Sequence, residues 1–437
     1  MFQPPRGTRD FLPETMKRRN WVLDQIKKTY ETYGFEPLGT PAFESWELLK
    51  IKSGEDIINQ IYYFKDKSER ELGLRFEWTA SLARVVSSHR ELQMPFKRYA
   101  IGPVWRYERP SEKRFREFWQ ADADIVGVKG VIADAEVLTV AVECLKRLGF
   151  KDFIIKLNDR RILQAIVEQH GIKKEKILDV FRIIDKLEKI GTDAVLKELT
   201  KITQNQKVSC QIIEAISVKG KPTKIINHLE EMLKNNTTGK LGCDAISQLF
   251  DYAEVFDFAQ FIILDPSLAR GLDYYTGSVF EVSAKGFESF GSIAGGGRYD
   301  EIIQLFGGEP TPAVGISFGI ERLVPLLEEV KTFREIDLGT DIFIAVVQES
   351  IRTEAIRIAQ ELRRNGFSTE LNMLNRPLSK QIEHAGRKNI KWVIIVGEKD
   401  LEKNFVTIRN MSSGEQYNVN LDEISIFYTK HFKNLPG

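Results

Sequence analysis

The chain has 437 residues, room for two to four domains with cores of their own, of which 42% are hydrophobic and 29% charged. Basic residues number 63 against 62 acidic ones, so a charge of +1 announces no nucleic-acid partner, and any such surface must be a local patch. Cys144, Cys210 and Cys243 are too far apart for a disulfide framework or a zinc site, and no apolar run is long enough to span a membrane, which predicts a soluble protein of a reducing, cytosolic compartment.

Residues 15–34 carry Trp21, Val22, Ile26 and Tyr30 at helical spacing, with Gly34 as a stop. A block of short strands is expected from about Phe35 to Val126, in YYFKD, LGLRFEW and FKRYAIGPVWRYE, and an amphipathic helix from Ala133 to Gly149. Between about Asp159 and Ala259 Lys, Glu, Ile and Leu recur at helical spacing with few glycines, which predicts an all-helical module. Strands and Gly-rich loops resume from Arg270 to about Ile316, and a helix follows over Ile320–Val330. From about Asp341 the order is strand, helix (Thr353–Asn365), strand, helix (Ser379–Lys388), strand, which implies a small parallel or mixed α/β domain. The expected main body is α+β, with antiparallel strands and helices packed on one side.

Four stretches carry candidate chemistry. In AIGPVWRYERPSEKRFREFWQADADIVG, alternation puts Arg106 and Glu108 on one strand face, and Gln120, Asp122 and Asp124 on one face of the next. An edge hairpin with a solvated polar face is the plainer expectation for that pattern. Arg75, Glu77 and Thr79 in LRFEWTA would add a third polar strand face. Such a floor suits a zwitterion and a phosphate, because carboxylates take an ammonium and a guanidinium forks onto oxyanions. LARGLDYYTGSVFEV holds Arg270 at a bend before a strand carrying Asp273, Tyr274 and Tyr275. SIAGGGRYD has three consecutive glycines, Gly295 to Gly297, which read equally as a turn or as backbone open to a ligand. TPAVGISFGIERLVPLL places Glu321 and Arg322 at a helix start, where a cation opposes the dipole and a bound polyanion would relieve it.

Together these stretches resemble the class II aminoacyl-tRNA synthetases, and within them the histidyl-tRNA synthetase family, in the order that family has them. GFEPLGTPAFE resembles class II motif 1, the WRYERP-loop-REFWQ stretch motif 2, and GISFGIERL motif 3. ARGLDYYTGSVFEV and AGGGRYD resemble the two histidine-specific peptides, and RGTRDFLP is similar to the family's N-terminus. The resemblance implies a histidine–tRNA ligase with an antiparallel catalytic core in two parts, 1–158 and 260–332. It also implies a helical insertion at 159–259 that clamps the acceptor stem, and an α/β anticodon-binding domain at 340–437. By the same resemblance Glu77, Thr79 and Gln120 hold the histidine ammonium, and Asp124, Tyr274 and Tyr275 read the imidazole. Arg106 binds the α-phosphate of ATP, Arg114 and Arg322 its outer phosphates, and Glu108 the adenine edge. Arg270 touches both the histidine carboxylate and the α-phosphate, and with Arg106 and Gln120 makes up the catalytic set. Mg2+ is expected on the ATP phosphates rather than in a cysteine or histidine cluster, tRNA(His) is the macromolecular partner, and a homodimer through motif 1 is expected.

Asp124 stands where bacterial members usually carry glutamate, and FEWTAS replaces their P-E-G-T, so the resemblance is to archaeal and eukaryotic members. Arg376, Lys380, Arg387, Lys388 and Lys391 are candidates for a basic patch on a strand edge of the last domain. A regulatory subunit of histidine biosynthesis resembles the same core but lacks the last domain and part of the arginine set. A sister synthetase would not carry ARGLDYY, and a plain RNA-binding module would not need the arginines.

Overall fold

The computed structural model describes residues 2–51, 55–111, 114–270, 273–334, 336 and 338–432. They fall into two compact units, Met1–Glu335 and Ile336–Gly437. The first helix, Pro13–Thr32, begins on a proline that suits the first helical position, and the chain leaves it at Gly34 with φ of 73°. Its Val22, Ile26 and Tyr30 are fully buried.

Among the described residues the first unit holds eleven strands: β1 (Glu36–Pro37), β2 (Phe43–Ser45), β3 (Tyr63–Lys65), β4 (Glu71–Leu74), β5 (Phe96–Trp105), β6 (Glu117–Val126), β7 (Phe153–Asp159), β8 (Ile262–Leu264), β9 (Ser278–Ala284), β10 (Ala294–Arg298) and β11 (Ala313–Gly319). Eight form one sheet in the order β1-β5-β6-β11-β10-β9-β7-β8, antiparallel except where β1 meets β5 and β7 meets β8. The rest make a small sheet, β2-β4-β3. Ala121, Ala123 and Ile125 of β6 share a core with the Pro13–Thr32, Ile132–Arg147 and Ile320–Glu329 helices, so one face of the large sheet is covered by helices. The other face of β6 carries Gln120, Asp122 and Asp124.

Seven α-helices between Arg160 and Val255 are inserted between β7 and β8. Asp159, Asn205 and Asn236 cap three of them through side-chain acceptors. Their apolar faces, with Ile162, Val180, Leu199 and Leu249, are continuous with the core of the main sheet.

Several expectations change. The segment after β4 is not a strand: Arg75–Trp78 is a loop, and Thr79 opens a helix, Thr79–Ser88. Arg106 and Glu108 lie just beyond the end of β5, and Tyr274 and Tyr275 lie in the loop before β9. Gly295 to Gly297 are not a turn but most of β10, held in extended form. The β5–β6 hairpin lies inside the sheet rather than at its edge, and the Asp122 and Asp124 side chains are buried.

In the second unit β12 (Ile342–Val346), β13 (Thr369–Leu371), β14 (Trp392–Val396), β15 (Phe405–Asn410) and β16 (Gln416–Asn420) form a sheet in the order β13-β12-β14-β15-β16. The first three are parallel, and β15 and β16 extend them as an antiparallel hairpin that the sequence reading did not anticipate. The basic residues lie on and around the Leu378–Arg387 helix, not on a strand edge. Lys380 and Arg387 pair with Glu383, and Lys388 pairs with Glu370, so the patch is partly neutralised.

Candidate active site

A cavity of about 820 Å³ opens on the polar face of the large sheet. Glu77, Thr79, Arg106, Glu108, Arg114, Gln120, Asp124, Arg270, Tyr274, Tyr275 and Arg322 all line it. These eleven come from separate parts of the chain: the loop before the Thr79–Ser88 helix, the end of β5, β6, the loop before β9, and the Ile320–Glu329 helix.

The floor at one end is acidic and aromatic. Glu77 Oε2 accepts from the Tyr274 hydroxyl at 2.8 Å, and Thr79 Oγ1 lies 3.4 Å from the same hydroxyl. Burial pushes the Glu77 carboxyl up to about 7, and that of Asp122 likewise to about 7. Burial also raises Asp124, while Arg98 and the Tyr299 hydroxyl oppose that rise. Tyr299 donates to Asp124 Oδ1, and Arg98 Nη2 lies 2.8 Å from Asp124 Oδ2. Gln120 Oε1 is buried with no hydrogen-bond partner among the described residues. An orphaned acceptor facing a cavity is poised for a donor from outside the protein.

Glycines make room for this end. Gly315 of β11 sits directly opposite Asp124 of β6, and a Cβ there would lie 1.9 Å from Asp124 Oδ1. A Cβ on Gly295 would lie 2.5 Å from Arg270 Nη1, and one on Gly297 2.8 Å from the Tyr275 ring. Close approach of side chains, not positive φ, is therefore what the triplet provides.

The other end is cationic. Arg270 Nη1 donates to Glu281 Oε1 at 2.8 Å, and Ser292 donates to Glu281 Oε2 at 2.5 Å. Against its burial, Arg270 and Ser292 hold Glu281 below the usual carboxylate range. Arg106 Nε donates to the Phe76 carbonyl at 3.1 Å, which fixes the guanidinium beside the acidic floor. Arg114 lies 3.6 Å from Glu108. Arg322 donates to the Ser292 carbonyl at 2.8 Å, and burial and then Arg114 press its pKa down. Clustered arginines that disfavour one another's charge form a site for a polyanion. The dipole conflict at the Ile320–Glu329 helix is offset in another way too: Glu321 in its first turn pairs with Arg9 and, at 2.8 Å, with Arg19.

Some contributors were not foreseen. Arg98, Tyr299 and Glu281 hold Asp124 and Arg270 in place, and the insertion lends Asp185, Leu187, Glu188 and Lys189 to the cavity wall. Arg98 stands out in FKRYAIG as a charge in the middle of an apolar strand, and Tyr299 lies in the AGGGRYD peptide. Nothing comparable marked the insertion residues. Among the described residues no group of three His, Cys, Asp or Glu side chains is placed to hold a metal ion, and no helix is long and apolar enough to cross a membrane.

Comparison with known proteins gives a consistent result. The family model for histidyl-tRNA synthetase matches residues 7–323, and that for an anticodon binding domain matches residues 341–430. The histidine–tRNA ligase of Pyrococcus furiosus is 39% identical over 434 residues, covering 99% of this chain and 100% of its own. That of Korarchaeum cryptofilum is 41% identical over 415 residues, covering 93% and 94%. The crystal structure of histidyl-tRNA synthetase from Nostoc sp. PCC 7120 matches with a TM-score of 0.87 at 30% identity, covering 99% of both chains.

Proposed function

The chain belongs to the histidyl-tRNA synthetase family, and on that premise we propose which of its residues carry each part of the reaction. It is an aminoacyl-tRNA synthetase that uses ATP to activate histidine as the adenylate and passes histidine to the 3′ end of tRNA(His). The observation that carries the residue roles is the convergence of eleven side chains from distant segments on one cavity, acidic at one end and cationic at the other.

In this proposal the histidine ammonium lies against Glu77, Thr79 and the orphaned Gln120 Oε1. A cation there compensates a carboxylate whose ionised form is penalised by burial. The imidazole lies between Asp124 and Tyr275, with Tyr274 completing the wall. Its carboxylate meets Arg270, and Arg106 and Arg270 flank the α-phosphate of ATP. Arg114 and Arg322 take the outer phosphates, and Glu108 faces the adenine edge. A histidine carboxylate oxygen then attacks the α-phosphorus, a P–O bond forms, and pyrophosphate leaves with the electrons of the broken bond. No general base is needed, because the nucleophile is already ionised. Arg270 and Arg106 stabilise the negative charge that grows on the α-phosphoryl oxygens, and they do so without reorganising. In the second step a ribose hydroxyl of the tRNA attacks the carbonyl carbon and AMP departs.

Mg2+ would neutralise the ATP phosphates, arriving on the nucleotide. Glu281 and Glu108, the carboxylates near the arginines, already face Arg270 and Arg114. The core would comprise 1–158 and 260–332, the insertion at 159–259 would clamp the acceptor stem, and 340–437 would bind the anticodon. A homodimer through Gly34–Glu44 is supported by the exposed rings of Phe43, Tyr63 and Phe64 on the adjoining small sheet. Cytoplasmic location is consistent with three free cysteines. Calorimetric titration of histidine into the wild type and Gln120→Ala tests the site. A loss of at least about tenfold in affinity is expected from the missing acceptor, and unchanged affinity would overturn the assignment.

A further inference from the structure

Behind Asp124 stands a buried cation. Arg98 and Asp124 are direct cross-strand partners on β5 and β6, 2.8 Å apart, with side chains only 1% and 5% exposed. Asp124 lines the cavity and Arg98 does not, so Arg98 acts on a ligand through the carboxylates it faces, Asp124 in direct contact and Asp122 and Glu77 at longer range. Tyr299 donates to Oδ1, while Oδ2 faces Arg98 as an ion pair without hydrogen-bond geometry and so keeps an acceptor free for a ligand. On the β11 side Asp124 packs against the bare backbone of Gly315, where a Cβ would lie 1.9 Å from Oδ1.

A buried carboxylate without a countercharge is so costly that it takes up a proton or captures a cation. Facing an unpaired Asp124, a histidine ring would be drawn toward the imidazolium form. With Arg98 in place the pair is already neutral, and a second positive charge on the ring would sit against Arg98 with only Asp122 and Glu77 to balance it, carboxylates whose ionised forms burial disfavours. A neutral ring needs one acceptor for its N–H and one donor for its bare nitrogen, and Asp124 and the Tyr275 hydroxyl supply one each.

We propose that Arg98 is a specificity-determining positioning residue, the fixed countercharge of Asp124 that makes this site accept the neutral imidazole of histidine and exclude the imidazolium. This rests on the assignment of Asp124 to the imidazole made above. The other titratable groups around Asp124 are Asp122 on the same strand face, Glu77 before the Thr79–Ser88 helix, Tyr274 and Tyr275 before β9, Tyr299 after β10, and Tyr30 of the Pro13–Thr32 helix. Burial holds the four phenols in their neutral form, so Arg98 is the cation that offsets the carboxylate charge behind the ring.

The test is nitrogen NMR of ring-labelled histidine bound to the full-length protein with a non-hydrolysable ATP analogue, followed across pH. In the wild type the bound ring should show one protonated and one bare nitrogen at neutral pH, and should gain its second proton at least about one pH unit below the free amino acid measured under the same conditions. Arg98→Met should bind a doubly protonated ring at neutral pH, and Arg98→Lys, which restores the charge, should bind a neutral one. A wild-type ring that titrates above the free amino acid overturns the proposal, as does a neutral ring in Arg98→Met. If Arg98→Met does not fold, the wild-type titration and Arg98→Lys still decide. Asp124→Asn separates the two levels: if it changes neither ring titration nor histidine affinity, the placement of the imidazole fails. If it changes both while Arg98→Met changes nothing, only the role of Arg98 fails.

Discussion

Arg270 donates to Glu281 at 2.8 Å from a backbone held at φ of 58°, in the left-handed region that a non-glycine residue seldom occupies. The guanidinium is thus aimed twice, by its own backbone and by a carboxylate on β9 that Ser292 holds from the other side. Replacing Glu281 with alanine leaves Arg270 present but free to swing. We expect adenylate formation to slow by about 10- to 100-fold, as for a misplaced electrostatic group, and Arg270→Ala to slow it by about 100- to 1000-fold. Single-turnover rates check both: a near-normal rate in Arg270→Ala would remove Arg270 from the proposed mechanism, and one in Glu281→Ala would remove the positioning role of Glu281.

Gly315→Ala puts a methyl carbon where only 1.9 Å separates it from Asp124 Oδ1. Asp124 must shift, so histidine KM should rise by at least about tenfold, the equivalent of modest overpacking at one end of the site. ATP KM should change little, because the cationic end is remote from the substitution. A parallel rise in both constants would show a general disturbance instead.

Glu77 gives a pH prediction with a definite sign. Its ordinary carboxyl value is 4.5 and burial raises it to about 7 in the folded protein. The native state therefore holds a proton that the unfolded chain has lost. The stability linked to it is complete below the ordinary value and disappears as pH rises through about 7. A histidine ammonium reverses the preference, because it pairs with the ionised form. Histidine affinity should therefore rise with pH up to about 7, and binding near pH 7 should release protons. Calorimetry in buffers of different ionisation enthalpy measures that release. Glu77→Gln should lower it, and an unchanged value would show that Glu77 does not meet the ammonium.

How far the sequence led can be judged residue by residue. Alternation in FWQADADIV assigned Gln120, Asp122 and Asp124 to one face of β6 correctly, because the opposite residues, Trp119, Ala121, Ala123 and Ile125, are apolar and pack on helices. It did not reveal that this polar face is covered, since the cover comes from the loop before β9 and from the insertion, both distant in sequence. The Thr79–Ser88 helix was missed because it follows strand-like sequence directly and has no capping side chain to mark its start. Gly295 to Gly297 were visible as unusual, yet their reason lies in Arg270 and Tyr275 approaching from another segment. The pairing of Arg98 with Asp124 depends on strand register, and that of Tyr299 with Asp124 on neighbours across the sheet, neither of which a local pattern specifies.

The most direct test of the account is ATP–pyrophosphate exchange by the purified protein with each proteinogenic amino acid in turn, repeated with Arg270→Ala. Exchange should depend on histidine, with no other amino acid supporting a comparable rate, and should fall by about 100-fold or more in the variant. Exchange supported by another amino acid and not by histidine, or a variant as active as the wild type, would contradict it.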